Sequence, residues 1–200
     1  MAILDAAHRL FHEQPYEAIT MAAVAVRAGL AKGTLYLYFS TKEELFLQVA
    51  LAEIGQWLDH LDKSLDRGLK GRNVGDLMVR TLRPRQDLLR LLSILHAILE
   101  RNVGDATVLA FKRSVLARVV ATGARLERAL PFLRSGEGVR ILFRIYALVV
   151  GLWQVAVPGP VVARVLADPS VRAMRIDFFG ALGEMLDALF AGLAFQRRHG

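Results

Sequence analysis

The chain has 200 residues, of which 54% are hydrophobic and 22% charged, with a formal net charge of +7 and no cysteine. A composition this apolar and this weakly charged excludes a disordered chain. The absence of cysteine excludes disulfide scaffolds, thiol catalysis and cysteine-ligated zinc. The length is sufficient for one large domain or two small ones, each with a real core.

A mean hydropathy of +0.35 is high for a water-soluble protein, so a membrane protein has to be considered. The longest helical stretch without a charged residue, 145–157, has 13 residues and ends at Pro158. A membrane-spanning helix needs about 20 apolar residues. Asp5, His8 and Arg9 interrupt the N-terminus before the apolar region of a signal peptide could form. We therefore expect a cytoplasmic protein without membrane contact, whose excess apolar surface is buried at a subunit interface or around a ligand.

The positive charge is unevenly distributed along the sequence. Residues 1–50 hold four Lys/Arg and five Asp/Glu, a net charge of −1, whereas residues 101–150 carry a net charge of +6. Global basicity is therefore no argument that the N-terminal part binds nucleic acid, and a few placed cations would have to suffice. The basic quarter is either a solvated helix face or a surface for an acidic ligand or partner.

Helical periodicity runs through almost the whole chain. Thr41 and Glu44 form a capping box at the start of a long helix, and Gly68, Gly71 and Gly75 mark a loop after it. No alternating strand pattern, fixed-period repeat or low-complexity tract occurs. We predict an all-α protein with helices at about 3–13, 20–28, 31–39, 41–67, a helix ending near 82, 84–101, 105–130, 136–157, 161–166 and 171–195.

Residues 20–39 have the spacing of a helix-turn-helix. Ala25 is small where a second helix would cross the first, and Gly29 can supply the positive φ that the turn requires. Leu35 follows six residues later and would anchor the second helix in the core. The outer face of that helix is then free to enter a DNA major groove. Its residues are Lys32, Gly33, Thr34, Tyr36 and Tyr38.

Several motifs accompany this spacing in the first quarter of the chain: Thr20-Met21, Val24-Ala25, Ala28-Gly29-Leu30, Lys32-Gly33-Thr34-Leu35-Tyr36-Leu37-Tyr38-Phe39 and Lys42-Glu43-Glu44-Leu45. In order and spacing they resemble the DNA-binding segment of tetracycline-repressor (TetR) family regulators. The resemblance covers about 3–47 and implies a homodimer, a two-fold symmetric operator, and a C-terminal domain that binds a small molecule and releases DNA. It divides the chain into a helix-turn-helix DNA-binding domain at 1–45 and a helical ligand-binding and dimerisation domain at 46–200.

The resemblance also implies roles for individual side chains on DNA. Leu37 stands where many members have an aromatic residue or an arginine, which removes a phosphate contact. The alternative for the two tyrosines is simple packing, and for Lys32 simple solvation. The implied contacts are Gly33 and Tyr36 deep in the groove, Lys32 and Thr34 on the backbone or base edges, and Thr20, Tyr38 and Lys42 on phosphates.

In this family the last two long helices usually pair with their copies as a four-helix bundle. Small residues would let the helices approach, and larger apolar residues would fill the interface. The alternative for the same residues is an intramolecular core. The candidate interface residues are Ala147, Leu148, Gly151, Phe178, Ala181, Leu182, Met185 and Leu189.

A ligand pocket is expected among the helices at 84–101, 105–130 and 138–157. Its apolar wall favours a largely apolar or aromatic small molecule, with an arginine available for one acidic group. A histidine in this position is also common as a structural group. The candidate pocket residues are Leu92, His96, Leu99, Glu100, Phe111, Arg113, Val115, Arg144, Tyr146, Val150 and Trp153.

We therefore expect a ligand-responsive transcriptional repressor whose partners are an operator in double-stranded DNA, a second copy of the chain and a small-molecule effector. No glycine-rich phosphate loop, Gly-x-Ser-x-Gly or His-Glu-x-x-His motif occurs, which argues against an enzyme. We predict no cofactor and no metal site. The alternatives are a DNA-binding regulator without a ligand and a helical carrier that no longer binds specific DNA.

Overall fold

In the computed structural model, which describes residues 2–69 and 73–199, every regular element is helical. No strand occurs within those residues, which confirms the predicted all-α class. The α-helices are α1 Ala2–Glu13, α2 Met21–Arg27, α3 Lys32–Tyr36, α4 Lys42–Asp66, α5 Val74–Leu82, α6 Gln86–Ile94, α7 Asp105–Ala129, α8 Glu137–Ala156, α9 Pro160–Val165 and α10 Phe178–His199. Two 3₁₀ turns, Tyr16–Ala18 and Pro169–Met174, and a π-helical segment, Leu95–Leu99, complete the set.

The chain divides into two compact units that are not consecutive in sequence. The first unit comprises Met1–Gln56 and Arg90–Ala117, and the second comprises Trp57–Leu89 and Arg118–Gly200. The long helices α4 and α7 each contribute residues to both units. The domain boundary between 45 and 46 that the sequence suggests follows chain order and stays a prediction.

An aromatic cluster forms the centre of the N-terminal helices in the first unit. The rings of Phe11 and Phe46 lie 5.7 Å apart, and the edge of Tyr16 meets Phe46 at 5.1 Å. Both phenylalanines are fully buried. Edge-to-face and tilted aromatic pairs add to the stabilisation from buried area. The cluster therefore fixes α1 and the following 3₁₀ turn against α4.

Helix α4 begins with the capping interaction that the sequence predicts. The N–H of Glu44 donates to Oγ1 of Thr41 at 3.1 Å. The Glu44 carboxylate accepts from the backbone N–H of Ser40 at 2.8 Å, one residue before the expected donor. Two backbone donors at the helix start are thus satisfied by side chains.

The last helix starts later than predicted. We expected a helix from 171, but Pro169–Met174 forms a 3₁₀ turn and α10 begins at Phe178. Asp177 caps the new start, because its Oδ2 accepts the N–H of Gly180 at 2.9 Å. An aspartate before an apolar run is an N-cap signal, and the sequence interpretation missed it.

Three other predicted elements differ locally from the structure. Helix α3 ends at Tyr36, three residues early, and the helix predicted to continue to 101 changes to π-geometry at Leu95. Gly75 lies inside α5 instead of in a loop, while Gly71 lies outside the described residues. A Cβ at Gly75 would lie 2.5 Å from Oδ1 of Asp187 on α10. The close approach of α5 and α10 explains this glycine.

A second close approach joins α7 and α8 in the second unit. A Cβ at Gly138 would stand 2.2 Å from the carbonyl oxygen of Gly123, and both residues are buried. The carboxylate of Glu127 accepts the N–H of Gly138 at 2.8 Å. Glycine at both positions therefore lets the two helix backbones touch.

The second unit also contains two unusually apolar helical segments. Glu137–Ala156 and Pro169–His199 each contain an 18-residue window of high mean hydropathy, 1.6 and 1.5. By length and composition both segments could cross a membrane. The sequence analysis counted only 13 residues in the first segment because it began after Arg144. Only 28% and 22% of these windows are buried inside the protomer. Much of their apolar surface is thus left uncovered by the chain itself.

Candidate nucleic-acid interface

Helices α2 and α3 and the turn between them form the predicted helix-turn-helix. Gly29 has a φ of +69°, as its place in the turn required. The N–H of Leu30 donates to the carbonyl of Ala25 at 2.9 Å, and that of Gly29 to Val26 at 3.1 Å. These two bonds are the Schellman pattern that ends a helix with a left-handed residue. Ala25 and Leu35 are buried, so the seam between the helices is also as predicted.

The recognition helix α3 presents most of its predicted contact residues to the outside. Lys32, Gly33, Tyr36 and Tyr38 are exposed, and Thr34 is half-buried. Tyr36 is 44% and Tyr38 68% exposed, so neither is a packing aromatic in this chain. The Lys32 ammonium lies 5.8 Å from the centre of the Tyr36 ring. Four of these residues thus lie on α3, and Tyr38 follows two residues after its end.

Leu37 has an exposed fraction of 84%, the largest among the exposed apolar side chains of the helix-turn-helix. The sequence interpretation treated it only as a lost phosphate contact. It therefore adds an exposed aliphatic side chain to the two exposed tyrosines at the end of α3. The signal in the sequence was the run of three large residues at 36–38 after a buried leucine.

Thr20 caps α2 from the position that was predicted. Its Oγ1 accepts the N–H of Ala23 at 3.1 Å, and the residue is exposed. The hydroxyl hydrogen is not needed for this bond, because a threonine hydroxyl both donates and accepts. The cap is therefore compatible with a further hydrogen bond from Thr20 to a phosphate.

Lys42 has a structural role that the sequence interpretation missed. Its ammonium donates to the carbonyl oxygens of Tyr16 at 2.9 Å and Ile19 at 3.0 Å, and it lies 4.0 Å from the centre of the Tyr16 ring. Partial burial lowers the pKa of this ammonium. A lysine has three N–H donors, so these bonds leave one for the predicted phosphate contact. Lys42 is first a clamp on the segment that leads into α2.

Two arginines fix the end of α1, and neither was predicted. Arg90 on α6 donates to the carbonyls of Phe11 at 2.8 Å and Gln14 at 3.2 Å, with its guanidinium 4.3 Å from the Phe11 ring centre. Arg27 at the end of α2 makes a two-pronged ion pair with Glu13, at 2.8 and 2.6 Å. This hydrogen bonding lowers the pKa of Glu13. Arg90 lies 76 and 79 positions from its two partners, a separation that no sequence pattern signals.

The eleven predicted pocket residues fall into both compact units. In the first unit Leu92, Leu99 and Phe111 are buried, Glu100 and Val115 are half-buried, and His96 and Arg113 are exposed. In the second unit Tyr146, Val150 and Trp153 are half-buried and Arg144 is exposed. Two grooves in the second unit, of about 340 and 630 Å³, are lined by other residues. The pocket stays a prediction.

One polar group of predicted pocket residues is assembled in the first unit. The Glu100 carboxylate accepts from Lys112 at 2.6 Å and lies 2.9 Å from Nδ1 of His96. Partial burial would raise the pKa of Glu100, but the hydrogen bonds from Lys112 and His96 hold it below its ordinary value. His96 and Leu99 lie in the π-helical segment, a geometry that often marks functional sites.

The eight predicted interface residues divide by exposure. Phe178 and Leu182 are buried within the protomer, and Phe178 packs edge-on against Trp153 at 5.1 Å. Both side chains thus belong to the core of the protomer, which is the alternative that the sequence left open for them. The other six keep surface for a partner: Ala147, Gly151 and Met185 are exposed, and Leu148, Ala181 and Leu189 are half-buried.

Comparisons with known proteins cover both parts of the chain. Residues 3–49 match the family model for bacterial regulatory proteins of the tetR family, and residues 51–197 match the tetracyclin repressor-like C-terminal domain. The fatty acid metabolism regulator protein of Bacillus subtilis is 32% identical over 65 residues, 32% of this chain and 34% of that protein. The repressor KstR of Mycolicibacterium smegmatis is 40% identical over 65 residues, 32% of this chain and 30% of that protein. The chain thus matches only about a third of the length of these relatives.

Solved structures share the fold over nearly the whole chain. The repressor AlkX from Dietzia, implicated in n-alkane biodegradation, has a TM-score of 0.59 at 17% identity and covers 96% of this chain and 93% of its own. The regulator FadR from Bacillus subtilis, solved with stearoyl-CoA, has a TM-score of 0.52 at 18% identity, with 96% and 98% covered. At these identities the likeness is one of fold.

The two lysines of the helix-turn-helix region should differ in their effect on stability. Lys42→Met removes two hydrogen bonds from a charged donor and should lower the free energy of unfolding by about 1–3 kcal/mol. Lys32→Met on the exposed face of α3 should change it by less than about 0.5 kcal/mol. Urea unfolding followed by circular dichroism measures both. Equal effects of the two substitutions would contradict the clamp role of Lys42.

Proposed function

The chain belongs to the tetracycline-repressor family of transcriptional regulators, and from this premise we propose that it is a cytoplasmic, homodimeric repressor that binds a two-fold symmetric operator and is released by a small, largely apolar molecule. The observation that carries the proposal is the helix-turn-helix, whose recognition helix keeps its outer face exposed. Repression is supported by the relatives that are repressors, such as KstR.

We assign the groove contacts to α3 and the phosphate contacts to Lys32 and to residues around that helix. Gly33 supports this assignment because it has no intrachain explanation: a Cβ there would meet nothing within 4 Å, and its φ is not positive. Glycine inside a helix costs roughly 0.5–1 kcal/mol relative to alanine. Close approach of DNA to the backbone would explain why glycine stands there. The proposed contacts are Gly33 and Tyr36 deep in the groove, Lys32 and Thr34 on the DNA backbone or base edges, and Thr20, Tyr38 and Lys42 on phosphates.

A homodimer through α8 and α10 is supported by the apolar surface that the second unit leaves uncovered. Phe143, Val155, Met185 and Phe195 on these helices are each at least 43% exposed. Contiguous exposed apolar surface of this kind marks interaction sites. Two recognition helices would have to be held about 34–36 Å apart to enter successive major grooves. The proposed interface uses Ala147, Leu148, Gly151, Ala181, Met185 and Leu189.

The proposed effector site is the predicted pocket. Leu92, Leu99 and Phe111 of the first unit are buried apolar side chains, which suit an apolar molecule. Arg113, which is exposed on α7 in the same unit, is available for an acidic group. The stearoyl-CoA bound to the Bacillus subtilis FadR suggests acyl compounds as first probes. A coupling of about 3 kcal/mol between the two sites would weaken operator binding roughly 150-fold.

Specific DNA binding is tested by selection of genomic fragments with the purified protein near physiological salt. We expect an inverted repeat to be enriched, and Lys32→Ala combined with Tyr36→Ala to abolish the enrichment while the protein stays folded. Lys63→Ala, an exposed lysine on α4, is the matched control and should change nothing. Enrichment of the same repeat by the double variant would contradict the groove assignment.

The dimer interface is tested by sedimentation velocity. The wild-type chain should sediment at about twice its mass of 22.2 kDa. Gly151→Arg combined with Met185→Arg places charge on two exposed positions and should yield folded monomer. Leu109→Arg, an equally exposed apolar position on α7, should remain dimeric. A dimeric double variant would refute the interface, and a monomeric wild type would refute the homodimer.

The effector is tested by thermal unfolding with fatty acids and acyl-CoA of increasing chain length. Ligand at 100 times its dissociation constant adds about 2.7 kcal/mol to the stability of the folded state and should raise the Tm. The same compound should weaken operator binding. Operator binding without any stabilising compound would favour a regulator without a ligand. Stabilisation without sequence preference on DNA would favour the carrier alternative.

A further inference from the structure

The region that carries the helix-turn-helix is poor in positive charge that DNA could use. Residues 1–50 contain four Lys/Arg and five Asp/Glu, a net charge of −1. DNA-binding domains usually carry a basic patch, because neutralised phosphates release counterions and supply much of the affinity. The four cations of this region that could neutralise phosphates are Arg9, Arg27, Lys32 and Lys42.

Intrachain contacts occupy two of the four cations. Arg27 makes two hydrogen bonds to the carboxylate of Glu13, whose charge offsets that of the guanidinium close to the α2–α3 turn. Lys42 directs two donors inward to backbone carbonyls and is partly buried. Arg9 is exposed on α1, one helical turn before the same Glu13, and its charge contributes to the lowered pKa of that carboxylate. Lys32 is thus the cation that the recognition helix itself presents.

Apolar and hydroxyl-bearing side chains occupy the surface where basic ones would be expected. Leu37 is 84% exposed, and the exposed Tyr36 and Tyr38 stand on either side of it in the sequence. An aliphatic side chain can contact a thymine methyl group or a sugar, and a tyrosine can add a hydroxyl bond to a phosphate. These contacts release few counterions.

We infer that this chain recognises its operator mainly through apolar and hydrogen-bond contacts of residues 36–38, with Lys32 as the principal phosphate-neutralising residue, so that specific binding depends only weakly on salt. The inference rests on the proposed function. Each protomer neutralises one or two phosphates, from Lys32 and in part from Lys42, and a dimer two to four. The nearby carboxylates of Glu43 and Glu44 further disfavour nonspecific binding to DNA.

The test is operator affinity as a function of salt. Fluorescence anisotropy with a labelled duplex that carries the enriched repeat, between 50 and 200 mM NaCl, should give a slope of log K against log salt of about −1.8 to −3.6. Affinity should then fall roughly 10- to 150-fold over this range, whereas a protein with 6–10 phosphate contacts loses about 10³–10⁵. A slope of −6 or steeper would overturn the inference and leave the proposed function intact.

Matched variants show which residues neutralise the phosphates. Lys32→Gln should make the slope shallower by about 2, because two neutralised phosphates are lost per dimer. Leu37→Lys should make it steeper by about 2 and strengthen binding to an unrelated duplex, while Leu37→Gln should leave the slope unchanged. An unchanged slope in Lys32→Gln would refute the role of Lys32. Absence of any sequence preference in the wild-type protein would refute the proposed function, and the inference with it.

Discussion

The position of the helix-turn-helix depends on cations that bind backbone carbonyls around the end of α1. Arg90 holds the carbonyls of Phe11 and Gln14, and Lys42 holds those of Tyr16 and Ile19. These carbonyls lie where the chain leaves α1 and turns toward α2, a region in which the last carbonyls of a helix lack intrahelical partners. Charge-assisted hydrogen bonds are the strong ones among protein hydrogen bonds. Together with the aromatic cluster beneath, they set the direction in which α2 starts.

The same use of cations shapes the proposed recognition of DNA. Arginine and lysine that stabilise the first unit are not fully available to phosphates, and the pair between Arg27 and Glu13 cancels charge near the turn. The recognition helix compensates with exposed aromatic and aliphatic side chains. Stability of the domain and electrostatic attraction to DNA therefore compete for the same few cations.

Arg90 also gives the proposed effector response a physical connection within the first unit. It belongs to α6, which continues directly into the π-helical segment that holds His96 and Leu99. Arg90 thus lies on the helix that leads into the π-helical segment and also binds the carbonyls at the end of α1, so the proposed effector site and the helix-turn-helix share one helix.

Local sequence patterns were sufficient for the helical class, the Thr20 and Thr41 caps and the Ala25, Gly29 and Leu35 spacing, because each depends on backbone conformation within one or two helical turns. They also indicated which side chains of α3 face outward. The residues that do not follow from the pattern are those whose partners are distant in sequence. Lys42 faces carbonyls 23 and 26 positions away, and Arg90 faces one 79 positions away. Burial of Leu182 likewise depends on which helices pack on α10. Only the tertiary structure decides these contacts, since periodicity gives the apolar face of a helix but not the surface that covers it.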